Sequence, residues 1–121
     1  MKSPNLFLLY VKDPQKSRVF YESLLDRKAQ SAFPSYVSFL LDNGTALGLW
    51  STGAKDFKSG GSGNRSEVAF LVETEVQVES LHQQWTAKGF DIEQSLHHAV
   101  FGLTFVALDP DGHRLRVCMP D

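Results

Sequence analysis

Six apolar residues in a row, Leu6 to Val11, read as a strand buried on both faces. They end at Lys12-Asp13-Pro14, where Asp13 can cap a helix and Pro14 suits its first position. Val19, Phe20, Leu24 and Leu25 follow at helical spacing, with Lys16, Arg18, Glu22 and Asp26 outside, which predicts a helix over 14–26. Tyr36 to Leu41 and Thr45 to Trp50 are apolar runs flanking Asp42-Asn43-Gly44, a hairpin signature.

The same order then repeats. Val68 to Val72 is a strand, and Thr74 stands where Asp13 stood. Val78, Leu81, Trp85 and Ala87 form the stripe of a second helix that Gly89 ends. Leu103 to Leu108 and His113 to Met119 flank the turn Asp109-Pro110-Asp111-Gly112. Aligning Gly44 with Gly112 sets Leu47 opposite Leu115 and Leu49 opposite Val117. Each half is therefore βαβββ, with short second strands expected near Lys28 to Phe33 and Asp91 to Leu96. The expected fold is α+β: two tandem βαβββ modules forming a curved mixed-sheet cup, helices outside. Module one covers about 4–52 and module two about 66–121 of a single domain. Between them, about 53–65, Lys58-Ser59-Gly60-Gly61-Ser62-Gly63-Asn64 has the composition of a flexible linker.

Strand alternation divides these residues between two faces. Leu6, Leu8, Tyr10, Ala46, Gly48, Trp50, Glu67, Ala69, Leu71, Arg114, Arg116 and Cys118 face the cup. Phe7, Leu9, Val11, Leu47, Leu49, Val68, Phe70, Val72, Leu115 and Val117 lie under the helices.

Composition narrows the function. A formal net charge of -2 with scattered basic residues argues against nucleic acid and against a polybasic membrane surface. The lone Cys118 excludes an internal disulfide and a thiolate metal cluster, and favours a cytoplasmic location. The first apolar run is too short for a signal peptide or a membrane span. Gly60-Gly61-Ser62-Gly63 does not follow a strand and open a helix, so it is no phosphate loop.

Asp13-Pro14, Ser17-Arg18-Val19-Phe20-Tyr21 and Asp109-Pro110-Asp111-Gly112-His113, set in paired βαβββ units, resemble the vicinal-oxygen-chelate superfamily of glyoxalases, bleomycin-resistance proteins and dioxygenases. Pro4-Asn5-Leu6, Ala46 to Ser51, and Asp109 to Cys118 with Pro120-Asp121 are most similar to the phenazine-antibiotic resistance proteins within it. That resemblance implies binding of a planar aromatic antibiotic without chemistry. A homodimer is expected, and the linker is long enough for one unit to pack on its neighbour in the same chain or to swap to another.

Metal-dependent members of the superfamily carry one ligand on the first strand and one on the closing strand of each unit. The matching positions here are Leu6, Gly48, Glu67 and Arg116, of which only Glu67 could ligate. No metal, no other cofactor and no catalytic residue are therefore expected. His82, His97, His98 and His113 fall outside cup-facing positions and read as solvated.

The expected ligand contacts are Trp50, Arg116, Phe101, Tyr36, Gly48 and Glu67. Trp50 can stack on a ring, Gly48 leaves room for it, and Arg116 can pair with a carboxylate or stack. Phe101 and Tyr36 begin the long hairpin strands and can form the wall. Each has a plainer alternative: Trp50, Phe101 and Tyr36 as packing, and Glu67 with Arg116 as a structural ion pair. Trp85 reads as packing, and Cys118 as an inert thiol with no neighbouring base. Competing readings are a metal-dependent lyase, isomerase, dioxygenase or thiol transferase of the same superfamily, and a scaffold that binds protein.

Overall fold

Asp13 starts the first helix as the sequence predicts: its Oδ1 accepts from the backbone N–H of Gln15 at 3.0 Å and of Lys16 at 3.3 Å. The structure, a computed structural model, describes residues 3–55, 57–59, 63 and 65–120. Met1, Lys2, Asp56, Gly60, Gly61, Ser62, Asn64 and Asp121 lie outside the described residues, so most of the predicted glycine–serine linker is not described.

The chain divides into two units, Met1–Gly61 and Ser62–Asp121. The first contains β1 (Leu6–Val11), α1 (Pro14–Leu25), β2 (Ser31–Phe33), β3 (Tyr36–Leu40) and β4 (Ala46–Ser51). The second contains β5 (Val68–Leu71), α2 (Glu75–Ala87), β6 (Asp91–Ala99), β7 (Gly102–Leu108) and β8 (Arg114–Cys118). Both are βαβββ and the fold is α+β. The sheets have equivalent orders, β1-β4-β3-β2 and β5-β8-β7-β6, with the first and last strands of each unit parallel.

In the first unit, α1 packs on β3 and β4. Its buried residues are Pro14, Ser17, Tyr21 and Leu24; of the predicted stripe Leu24 is buried, Phe20 and Leu25 are half-buried and Val19 is exposed. Val19 is 60% exposed, while Tyr21 fills the space over Phe39. Small Ser17 one turn earlier lets the helix approach the sheet. Asp26 takes the left-handed capping position that ends α1. Val11, Val37, Phe39, Leu47 and Leu49 complete this core. The expectation for Phe7 needs correction: it is 53% exposed. β1 is an edge strand, and α1 lies over β3 and β4 instead.

In the second unit, Thr74 and Gln77 form a reciprocal capping box at the start of α2. Val78 and Trp85 are buried under it, whereas Leu81 is half-buried and the predicted Ala87 is exposed. Trp85 meets Phe70 and Phe105 edge-on, so its reading as a packing residue agrees with its surroundings. Leu115 and Val117 are fully buried beside Phe105 and Ala107. β6 runs three residues beyond the expected strand, so His97 and His98 lie on it. Two register shifts, between Ile92 and Gln94 and between Gln94 and His97, break its regular pairing with β7.

Candidate functional site

Pairing across the first unit's sheet puts whole rows of side chains in line. Phe33 is opposite Tyr36, Tyr36 opposite Trp50, and Trp50 opposite Tyr10, so one row is aromatic across all four strands. The next row is Ser31, Ser38, Gly48 and Leu8, and the third is Leu40, Ala46 and Leu6. Leu6, Leu8, Tyr36 and Trp50 line an open pocket of about 280 Å³. That is just below the ~300–1,000 Å³ range usual for ligand sites.

Trp50 is half-buried and its ring is held edge-on. Tyr10 lies 6.4 Å away between centroids and Phe57 5.4 Å away, and Tyr10 and Phe57 are themselves 4.9 Å apart. Phe57 was not anticipated as part of this cluster, because it falls in the stretch whose glycine and serine content reads as linker. The available signal was the aromatic itself, out of keeping with a solvated connection. Gly48 also behaves differently from the expectation that it leaves room for a ligand ring. A Cβ there would lie 2.5 Å from Tyr36 Oη and 2.7 Å from Leu8 Cδ2, so its open space is already taken by the neighbouring strands' side chains.

The second unit carries the charged residues. Arg116 Nε and Nη2 donate to Glu67 Oε1 and Oε2 at 2.7 and 3.1 Å, a two-pronged pair, and Nη1 donates to Thr104 Oγ1 at 3.2 Å. Arg114 Nη1 stands 3.0 Å from Glu67 Oε2. Its Nε lies 3.0 Å from Glu93 Oε1 but out of hydrogen-bond alignment. The hydrogen bond from Arg116 holds the Glu67 carboxyl below the usual carboxylate range, against the opposing effect of burial. Of the two roles weighed for Arg116 and Glu67, the structure realises the ion pair. Phe101 lies in the turn before β7 instead of beginning that strand, with the guanidinium of Arg116 over its ring at 5.5 Å.

The donors do not suit a metal of the kind the superfamily resemblance implies. Leu6 and Gly48 offer no ligating atom, Arg116 brings a cation, and both Glu67 oxygens are hydrogen-bonded to it. Among the described residues no three His, Cys, Asp or Glu side chains gather as a metal-binding group. Each histidine has a local partner: His82 Nε2 is 3.3 Å from Ser95 Oγ, His97 Nδ1 2.8 Å from the Ser95 carbonyl, and His98 Nε2 3.3 Å from Glu75 Oε2. Cys118 is buried.

His113 is held most firmly. Asp109 Oδ1 accepts from the backbone N–H of Asp111 and His113, and Oδ2 is 2.7 Å from His113 Nδ1. That hydrogen bond raises the imidazole pKa above its usual value of about 6.5, against burial. A raised folded pKa means the pair stabilises fully below about pH 6.5 and loses its contribution as pH climbs through the folded value. Thermal midpoints of the native chain and His113→Asn should therefore converge between pH 6 and pH 9. Parallel curves over that range would show that the pair contributes no pH-dependent stability.

No helix among the described residues is long and apolar enough to cross a membrane. Residues 3–117 match the family model described as the glyoxalase/bleomycin resistance protein/dioxygenase superfamily. The chain is 30% identical over 122 residues to the phenazine antibiotic resistance protein EhpR of Enterobacter agglomerans, covering 98% of this chain and 93% of that protein. It is 37% identical to protein ATC0852 of Agrobacterium tumefaciens, whose solution NMR structure superposes with a TM-score of 0.82 and covers 100% of this chain and 99% of that one. A glyoxalase/bleomycin resistance protein/dioxygenase family enzyme from Burkholderia phytofirmans PsJN shares the fold at 16% identity and a TM-score of 0.80, covering 98% and 100% of the two chains.

Proposed function

Because the chain belongs to the glyoxalase/bleomycin resistance protein/dioxygenase superfamily, with EhpR among its relatives, we propose that it binds a planar, phenazine-like antibiotic and confers resistance by sequestering it unaltered. The observation that carries this reading is the first unit's pocket, whose walls are two leucines, a tyrosine and a tryptophan on an aromatic row. A flat ring against Trp50 gains apolar burial and about 0.5–1.5 kcal/mol of ring–ring interaction beyond it. In the second unit Arg116, Glu67 and Phe101 form a separate cluster, proposed as ligand contacts on that unit's own sheet. After its bonds to Glu67 and Thr104, Arg116 acts through its remaining N–H groups or its planar face, and its charge is already balanced.

Binding in this reading is metal-independent, since the residues at the four ligand positions do not make a donor set. The two modules act as one domain of a cytoplasmic homodimer, a state that sedimentation equilibrium tests by its mass.

The test of binding is quenching of tryptophan fluorescence by phenazine-1-carboxamide in the presence of a chelator. Native protein should show saturable quenching that the chelator does not alter. Trp50→Ala should bind at least about tenfold more weakly, the equivalent of about 1.4 kcal/mol, measured for both proteins by isothermal titration calorimetry, which needs no tryptophan near the ligand. Equal affinity in both proteins, or quenching abolished by chelation, would sink the reading.

A further inference from the structure

The pocket of the first unit contains no charged side chain. Of its four lining residues only Tyr36 and Trp50 carry a polar atom, and among the described residues neither Tyr36 Oη nor Trp50 Nε1 has a hydrogen-bond partner. The hydroxyl is placed by the strand beside it. Gly48 has no Cβ, and the phenol lies over that glycine so closely that an added Cβ would stand 2.5 Å from Oη and 2.9 Å from Cε1. Ser38, the residue of β3 opposite Gly48, turns its Oγ to Ser31 Oγ at 2.6 Å and not to the phenol.

We propose that Tyr36 is the specificity-determining residue of this pocket, its hydroxyl donating to an acceptor in the plane of the bound ring, so that the site selects a neutral aromatic nitrogen heterocycle over an equally flat carbocycle. This rests on the reading that an aromatic ligand binds here. Covering the pocket removes water from the phenol O–H. A ring nitrogen replaces the lost bond, whereas a ring C–H leaves the donor unsatisfied. Apolar walls alone cannot make this distinction, since the two rings have nearly the same shape and area. The absence of a lining charge favours an uncharged ring, because an ion would be desolvated without compensation.

Phenazine and anthracene differ only at the two ring positions that are N in one and C–H in the other, and serve as the probes. The native chain should bind the phenazine about tenfold more tightly, the size of one hydrogen bond. In Tyr36→Phe that ratio should fall to about one, with the anthracene gaining affinity as the phenazine loses it. A merely structural role for Tyr36 would weaken both probes together and leave the ratio standing. Equal binding of both probes to the native chain overturns this inference and leaves the proposed function intact. A native preference that persists in Tyr36→Phe also overturns it, moving recognition to Trp50 Nε1. Failure of both probes to bind overturns the proposed function and this inference with it. The native ratio requires no variant to fold, and the thermal midpoint of Tyr36→Phe reports whether its fold is retained.

Discussion

Phe105→Ala should lose about 3–5 kcal/mol of stability, the usual cost of removing a buried phenylalanine and leaving a cavity. Phe105 is fully buried on β7. The ring of Trp85 meets it edge-on at 5.3 Å and that of His82 at 5.1 Å, from successive turns of α2. Val117 on β8 is its cross-strand partner. Removing the ring therefore takes away the surface on which α2 rests. Relaxation cannot fill the gap, because the neighbours belong to a helix and a sheet with separate backbone constraints. Against a total stability of about 5–15 kcal/mol such a loss is a large fraction. The thermal midpoint should fall by on the order of 10–20 °C. Phe105→Leu should cost much less, since it keeps most of the apolar volume. A loss below about 1 kcal/mol for the alanine variant would mean that α2 is held by something other than this aromatic contact.

Gly48→Ala is expected to have the largest effect on binding with little effect on folding. Its new methyl would collide with Tyr36 Oη and Cε1 and with Leu8 Cδ2, so the whole phenol ring and the leucine tip must swing aside. Both line the pocket, which is where there is open space to receive them. The strand itself should tolerate alanine, because Gly in a strand interior gives up backbone entropy on folding that alanine does not. Affinity for phenazine-1-carboxamide should drop at least about tenfold, roughly the loss of 1.4 kcal/mol, while the thermal midpoint moves by only a few degrees. Unchanged affinity would place the ligand elsewhere on the molecule. A collapse of the midpoint would instead mean that Tyr36 and Leu8 cannot move, and that Gly48 is a packing requirement of the sheet.

Much of this molecule is legible in its order of residues because the relevant physics is local. Asp13 and Thr74 cap their helices through bonds that span two or three residues. Asn43-Gly44 and Asp111-Gly112 turn their hairpins through backbone conformations that glycine supplies, with φ of +81° and +85° at the two glycines. Strand alternation assigns Leu115 and Val117 to the helix side, and they are fully buried. The repeat of those local signals is what exposes the two βαβββ units and the superfamily they belong to.

Tertiary structure decided the rest, for reasons that no local pattern carries. Periodicity shows that a helix has an apolar face, but which residues are buried depends on where it crosses the sheet. The crossing over β3 and β4 selects Ser17, Tyr21 and Leu24, and it leaves Val19 and Phe7 exposed. Arg116 and Glu67 lie 49 residues apart in sequence. The sequence offers their pairing as one of two alternatives, and it is parallel β5 and β8 lying side by side that realise it, making Arg116 half of a balanced pair. Gly48 shows the same limit at the pocket: composition marks a position without a side chain, and only the neighbouring strands determine whose side chain takes the vacant space.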